Sequence, residues 1–309
     1  MIPQRIAVIG AGPVGSVLGA HLQHAGHSVM YCEVGRERRE ALSRDGVKVS
    51  GAIELETGPA EVVASVDALS GHKPELVFIA VKANALPLIC DALAAFLSES
   101  ATVISWQNGI DTEQVIAETL GRTRVLRAVI NHGVALGSAG QVMVSFDKPP
   151  HYVQELNPGQ ELRAVTVAQV LSAAGMPTQR ADDLISMVWR KGILNAALNA
   201  LCALTGMNMR EAWHDPYSQR LSKEIIKEGI AVARANEIKL GWNYYHEALA
   251  YIGEGKEHKP SMLLDREAGK RSEIDFINGK IVEYGDIAGL STPYNRSVYW
   301  LVKAMERAL

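Results

Sequence analysis

A chain of 309 residues is long enough for two domains of ordinary size, each with a proper core. Hydrophobic residues make up 48% and charged residues 21%, with a net charge of −3, which is the composition of an ordinary soluble globular protein. The lack of a basic excess argues against nucleic acid as a partner. No apolar run is long enough for a membrane span, and no secretory leader is expected ahead of a strand that starts almost at Met1.

Ile6-Ala7-Val8-Ile9 reads as the first strand, and it runs straight into Gly10-Ala11-Gly12-Pro13-Val14-Gly15. Ser16 to Leu22 reads as a helix and His27 to Cys32 as a second strand that ends at Glu33. Strand, glycine turn, helix and strand form a βαβ unit with G-x-G-x-x-G in its turn. Gly10 serves the tight turn, Gly12 the close approach of a pyrophosphate, and Gly15 the packing of helix on strand. The helix N-terminus then faces the phosphates, and the acidic residue some twenty positions on meets the ribose.

The next elements continue the alternation. Arg36 to Leu42 is a polar helix, and Gly46 to Val49 is a strand of an excursion. Leu76 to Val81 is a fully apolar strand that ends in Lys82. Leu86 to Leu97 is helical, Thr102 to Ser105 is a strand leading into Gln107-Asn108-Gly109, Glu113 to Leu120 is helical, and Val125 to Ile130 is a strand. Such alternation predicts an α/β fold with a doubly wound parallel sheet. Lys82 and Asn108 fall at carboxyl ends of strands, where such sheets bind ligands. Gly133 to Val153 reads as hairpin strands, Glu161 to Ala174 as a helix, and a short strand runs into Asp182.

From there the pattern is helical. Leu184 to Thr205, Arg220 to Asn236, Tyr244 to Gly253, Met262 to Ala268, Ile274 to Ala288 and Tyr294 to Ala308 are the predicted helices, with a flexible stretch over Gly253 to Lys259. The domain boundary is therefore expected at 182/183, giving 1–182 and an all-helical 183–309. Cys32, Cys90 and Cys202 are odd in number, widely spaced and lack C-x-x-C. They point to free thiols in a reducing cytoplasm and to no metal site.

Two features of the second half carry polar chemistry. Lys191, Asn195 and Asn199 recur every four residues, so they form one stripe on an otherwise apolar helix. Such a stripe is either solvent-facing or, if buried, needs polar partners. The stretch from Lys259 to Gly279 contains Ser261, a candidate helix cap, and Glu273, which is either a carboxylate favoured at a helix start or a functional group.

With these motifs in order, the chain resembles the ketopantoate reductase family from end to end. The resemblance rests on the glycine turn, Val81-Lys82, Gln107-Asn108-Gly109, and Trp189-Arg190-Lys191 with Asn195 and Asn199. It extends through Ser261 to Asp265, Glu273-Ile274-Asp275, Ile277-Asn278-Gly279 and Thr292-Pro293. It implies an N-terminal Rossmann domain, a helical C-terminal substrate domain, a cleft between them, and reduction of a 2-oxo acid to a D-2-hydroxy acid by a nicotinamide hydride. Lys191 is then the proton donor to the developing alkoxide and Glu273 the carboxylate that orients substrate. Asn195, Asn199 and Ser261 hold the substrate. Lys82 and Asn108 serve the nicotinamide and ribose side, with Asn108 also reaching substrate. Gly10, Gly12, Pro13, Val14, Gly15 and Glu33 bind cofactor, and Asp265 and Asn278 are structural.

This chain departs from the family at two places. Many members carry an arginine just past the second strand that pairs with the 2′-phosphate of NADP. Here Glu33-Val34 stands there, which favours NAD(H), although Arg36, Arg38 and Arg39 follow and could serve NADP(H). Asn131-His132-Gly133 places a histidine at a strand end near the expected nicotinamide, read as a hydrogen-bonded residue without a catalytic role. The leading reading is a cytoplasmic 2-dehydropantoate 2-reductase that makes D-pantoate for pantothenate synthesis, with a homodimer as its candidate assembly. The alternatives are an NADH-dependent D-2-hydroxyacid dehydrogenase acting on a branched or aromatic 2-oxo acid, and a non-catalytic nucleotide sensor.

Overall fold

The computed structural model describes residues 2–138, 140–254 and 257–308. Two residues of the expected flexible stretch, Gly255 and Lys256, lie outside the described residues. The chain divides into two compact units: Met1–Gln107 with Asp111–Leu184, and Asn108–Ile110 with Ile185–Leu309.

The first unit begins with β1 (Arg5–Ile9), α1 (Pro13–His24), β2 (Ser28–Cys32) and α2 (Arg36–Asp45), followed by the short strands β3 (Lys48–Gly51), β4 (Leu55–Glu56) and β5 (Glu61–Val63). It continues through β6 (Leu76–Ile79), α3 (Leu86–Ala94), β7 (Thr102–Ser105), α4 (Thr112–Leu120) and β8 (Val125–Val129). It closes with β9 (His132–Leu136), β10 (Gln141–Asp147), β11 (His151–Glu155), α5 (Glu161–Ala173) and β12 (Thr178–Arg180). The main sheet has the order β5-β2-β1-β6-β7-β8-β11-β12. Its first six strands are parallel, and β11 enters antiparallel to β8.

The central strands β6, β7 and β8 are buried at every position, because helices cover both faces of a parallel sheet. The winding direction reverses at β1, which lies between β2 and β6. The carboxyl ends of β1 and β6 therefore flank the switch point where open α/β sheets bind ligands.

The excursion is a second sheet, β4-β3-β10-β9. The expected hairpin is β9 with β10, while β11 leaves it for the main sheet. Strands β4 and β5 have no counterpart among the sequence-based elements, since two or three residues are too few for a periodicity to register.

A buried ion pair fixes the end of β7. Arg127 of β8 lies 3.3 Å from the Glu113 carboxylate of α4, and both side chains are almost fully buried. The guanidinium also donates to the Gln107 carbonyl at 2.8 Å and to the Ser105 hydroxyl at 3.1 Å. Burial pushes the Glu113 carboxyl up, against the opposing pull of Arg127.

The second unit holds most of α6 (Leu184–Thr205), then α7 (Met209–His214), α8 (Pro216–Ala235), α9 (Tyr244–Gly253), α10 (Ser261–Glu267), α11 (Asn278–Ile287) and α12 (Pro293–Glu306). The helix expected over Ile274 to Ala288 is broken. A single 3-10 turn, Ile274–Phe276, is followed by Ile277 at φ −114°, ψ −93°, and only then does α11 begin. Fully buried Asn278 accounts for the break. Its amide donates to the Ala196 carbonyl of α6 and to the Asn295 side chain of α12, and it thereby joins three helices. No helix among the described residues is long and apolar enough to cross a membrane.

All three cysteines are buried free thiols. Burial pushes Cys32 and Cys90 up to about 11 and Cys202 up to about 12. Native protein at pH 8 is expected to leave all three unreacted with a disulfide reagent over minutes, and all three should titrate in guanidinium. A thiol that reacts at once in the native state would contradict this.

Candidate active site

In the first unit the site is built around the glycine turn. Gly10 sits at φ +93°, and a Cβ there would lie 2.7 Å from Val81 Cγ1. At Gly15 a Cβ would lie 2.0 Å from the Gly10 carbonyl oxygen, which is backbone and cannot swing away. Gly12 differs from both: nothing lies within 4 Å of its Cβ position. Two glycines are thus required by packing, and the middle one keeps open the space that a pyrophosphate needs. Pro13 opens α1 in a position suited to its missing N–H, and no acidic residue occupies the first turn. Val14 and Gly15 lie in that first turn, whose N–H groups have no acceptor within the helix. The turn therefore fits a dinucleotide, and Lys82 stands across the switch point, half-buried at the start of the turn Ala83–Ala85.

Glu33 follows β2 directly. One of its carboxylate oxygens accepts the Ala11 N–H at 3.1 Å and the other accepts the Gly35 N–H at 2.7 Å. The carboxylate thus braces the glycine turn as well as closing the strand. The three arginines have separate tasks. Arg38 donates to the Ala11 carbonyl and, at 2.7 Å, to the Ser16 hydroxyl. Arg39 donates to the carbonyls of Glu33 and Val34. Arg36 pairs with Glu40 on the surface.

In the second unit, α6 presents Lys191 and Asn195 half-buried, while Asn199 is only 5% exposed. A simple solvent-facing stripe is therefore excluded. Glu273 is 7% exposed and precedes one 3-10 turn rather than a helix, so a helix-dipole role has little to act on. Its neighbours are tied down firmly. The Ser272 N–H and hydroxyl both donate to the Glu306 carboxylate, and Asp275 accepts from Tyr299 and Lys303, all three partners lying on α12. Ser261 is the exposed first residue of α10. Pro260 is the N-cap and no side chain caps that helix, so the expected capping role of Ser261 is not realised.

Sequence reading missed how Asn108 joins these groups. Residues 108–110 follow β7 in the chain but belong to the helical unit. The Ile110 N–H donates to the Phe276 carbonyl at 2.8 Å. Its side chain lies against Gly192, the residue after Lys191. The helical unit therefore gathers Asn108, Lys191, Asn195, Asn199, Ser261 and Glu273, whereas Gly10 to Gly15, Glu33 and Lys82 belong to the first unit.

His132, Asp147 and His151, in the first unit, bring one ligand atom each to within 4.8 Å of one another. The hydrogen bonding argues against a metal. His151 Nδ1 accepts the Asn131 N–H at 3.1 Å, so the neutral ring carries its proton on Nε2, which faces Asp147 Oδ1 at 3.7 Å. A metal-bound imidazole instead donates from its second nitrogen. His132 packs edge-on against His151, with ring centroids 5.4 Å apart.

Models of known families match both parts of the chain: ketopantoate reductase PanE/ApbA over residues 6–158, and its C-terminal domain over residues 183–306. The chain belongs to the ketopantoate reductase family. The 2-dehydropantoate 2-reductase of Archaeoglobus fulgidus is 30% identical, with 99% of each chain covered. That of Pyrococcus horikoshii is 30% identical over 98% of this chain and 97% of its own. Among solved structures, a PanE/ApbA family ketopantoate reductase from Ralstonia eutropha is 28% identical with a TM-score of 0.88, and 98% of each chain is covered. A D-mandelate dehydrogenase solved with NADH and anilino(oxo)acetate is 26% identical with a TM-score of 0.89, again over 98% of each chain. Ketopantoate reductases are NAD(P)-dependent oxidoreductases acting on a CH–OH group, and the Rossmann-type sheet followed by a helical region is the fold they share with this chain.

Proposed function

We propose that this protein reduces ketopantoate to D-pantoate, adding a hydride from NAD(P)H to the ketone carbon and a proton to its oxygen. The observation that carries the reading is the docking of 108–110 within the helical unit, against the helix of Lys191 and the turn that follows Glu273. Lys191 protonates the alkoxide and its charge stabilises the oxygen as negative charge develops. Glu273 orients the substrate on a turn made rigid by Glu306. Asn108, Asn195, Asn199 and Ser261 supply hydrogen bonds to the substrate carboxylate and hydroxyl. Gly10, Gly12, Pro13, Val14, Gly15, Glu33, Lys82 and Asn108 would hold the dinucleotide, which supplies the hydride. Buried free thiols suit a cytoplasmic enzyme.

The likeness to a D-mandelate dehydrogenase favours a second reading, in which an aromatic 2-oxo acid is the better substrate. Initial rates with ketopantoate, phenylglyoxylate and 2-oxoisocaproate, each with NADH and NADPH, decide between them. Turnover of none of the three would remove both.

NADH is expected to serve at least as well as NADPH. Glu33 lies at the end of β2 beside the turn, where its carboxylate can accept from ribose hydroxyls and repels a 2′-phosphate. Arg38 is committed to Ala11 and Ser16. Glu33→Ala should shift kcat/KM toward NADPH by about 10-fold, the scale of losing one charged hydrogen bond. A wild type that strongly prefers NADPH, with its preference unmoved by the substitution, would show that the arginines govern the site.

A further inference from the structure

Gly192 lies nine residues into a 22-residue helix, a place where glycine costs about 1 kcal/mol relative to alanine. Such a residue is expected where something approaches the backbone closely. Here the approaching group is the Ile110 side chain: a Cβ on Gly192 would lie 3.1 Å from both its Cδ1 and its Cγ1. Ile110 is 1% exposed, and its backbone N–H is held by the Phe276 carbonyl. One residue is thus fixed at two points. The first is the position next to Lys191, and the second is the 3-10 turn that begins just after Glu273. Two residues earlier in the chain stands Asn108. Gly109, between them, has φ +108°, and Asp111, just beyond, has φ +64°. The segment therefore makes a sharply specified excursion, and its depth is set by how far Ile110 can advance on α6.

We propose that Ile110 and Gly192 are a positioning pair, whose fit sets where Asn108 stands relative to Lys191 and Glu273. The proposal rests on the reductase reading above. Both residues are buried, and they act through the position of Asn108. Their contribution is the depth at which the segment seats, and a displacement of a few tenths of an ångström at Ile110 is passed along two residues to Asn108. Misplacements on that scale are felt in turnover because hydride and proton transfer demand close alignment.

The test is Gly192→Ala, alone and with Ile110→Val, in the full chain. Alanine is the better helix former, which offsets the strain of the tight contact, so Gly192→Ala is expected to stay folded with a melting temperature near wild type. Its added methyl should push Ile110 back. The expected result is a fall in kcat of about 10-fold, with an unchanged Kd for NADH measured by fluorescence. Ile110→Val removes Cδ1, one of the two atoms in the close contact, and leaves Cγ1, so the double variant should recover part of the lost kcat. Wild-type kcat in Gly192→Ala overturns the proposal. So does a loss of kcat that Ile110→Val does not relieve, or a loss accompanied by lower thermal stability and weaker NADH binding, which would indicate general damage. If Gly192→Ala does not fold, Ile110→Ala takes its place: a several-fold fall in kcat with unchanged NADH Kd is expected, and wild-type kcat overturns the proposal. A wild type inert toward every 2-oxo acid would instead defeat the reductase reading, and the proposal with it, whereas an active wild type with an indifferent Gly192→Ala defeats the proposal alone.

Discussion

Lys191→Ala is expected to lower kcat by about 100-fold or more, the range associated with losing a positioned general acid. The Kd for NADH should stay near wild type, since Lys191 lies on α6 and the glycine turn belongs to the first unit. The reason for a large effect is chemical. Hydride addition leaves a full negative charge on a former ketone oxygen, and water is a poor substitute for an ammonium already in place. Trp189 and Ile193, two positions to either side of Lys191 on α6, are buried in the core, so the helix should keep its place when the lysine side chain is shortened. Stopped-flow single turnovers with ketopantoate separate the chemical step from product release. Near-normal turnover in the variant would remove the lysine from the mechanism.

The second large effect is expected at Glu273. Glu273→Ala should raise KM for the oxo acid by about 10- to 100-fold, which corresponds to losing a charged hydrogen bond worth about 1.5–3 kcal/mol. A smaller fall in kcat should accompany it. The turn itself should survive, because Ser272 is held by Glu306 and Asp275 by Tyr299 and Lys303, none of which depends on the Glu273 carboxylate. That independence makes the substitution informative: a change in KM reports on substrate rather than on a collapsed loop. Wild-type KM and kcat in the variant would leave Glu273 as a buried carboxylate of local structure only.

What could be read from the sequence divides along physical lines. The parallel strands declare themselves as short runs buried on both faces, and the glycine turn as three residues each needed for a different reason. The longer helices of the second half follow from their apolar period, whereas the six-residue α7 was not among those expected. The short strands β4 and β5 were invisible because pairing, not pattern, makes them strands. The break before α11 was invisible because it comes from Asn278 reaching across to α6 and α12, contacts 82 and 17 residues away. For the candidate site, the individual residues were legible but their assembly was not. Nothing local to Gln107-Asn108-Gly109 says that the three residues after Gln107 pack with a helix some 80 positions on. Ser261 shows the converse error, since a serine before an apolar run invites a cap that Pro260 occupies instead. The tasks of Arg38 and Arg39 were equally hidden, because a cluster of arginines in a polar helix says nothing about which carbonyl each will find.

The bond from Ser272 to Glu306 also bears on how this protein is handled in the laboratory. Glu306 is the last residue of α12, close to the end of the sequence, where trimming and tagging are usually judged harmless. Here its carboxylate anchors the residue beside Glu273. A chain cut just before Glu306 would keep both cores and the whole nucleotide turn, yet release the strut beside Glu273. Purification handles are therefore better placed at the N-terminus. A C-terminally shortened preparation that still binds NADH while working poorly should be suspected of a loosened tail before it is taken as evidence of a different substrate.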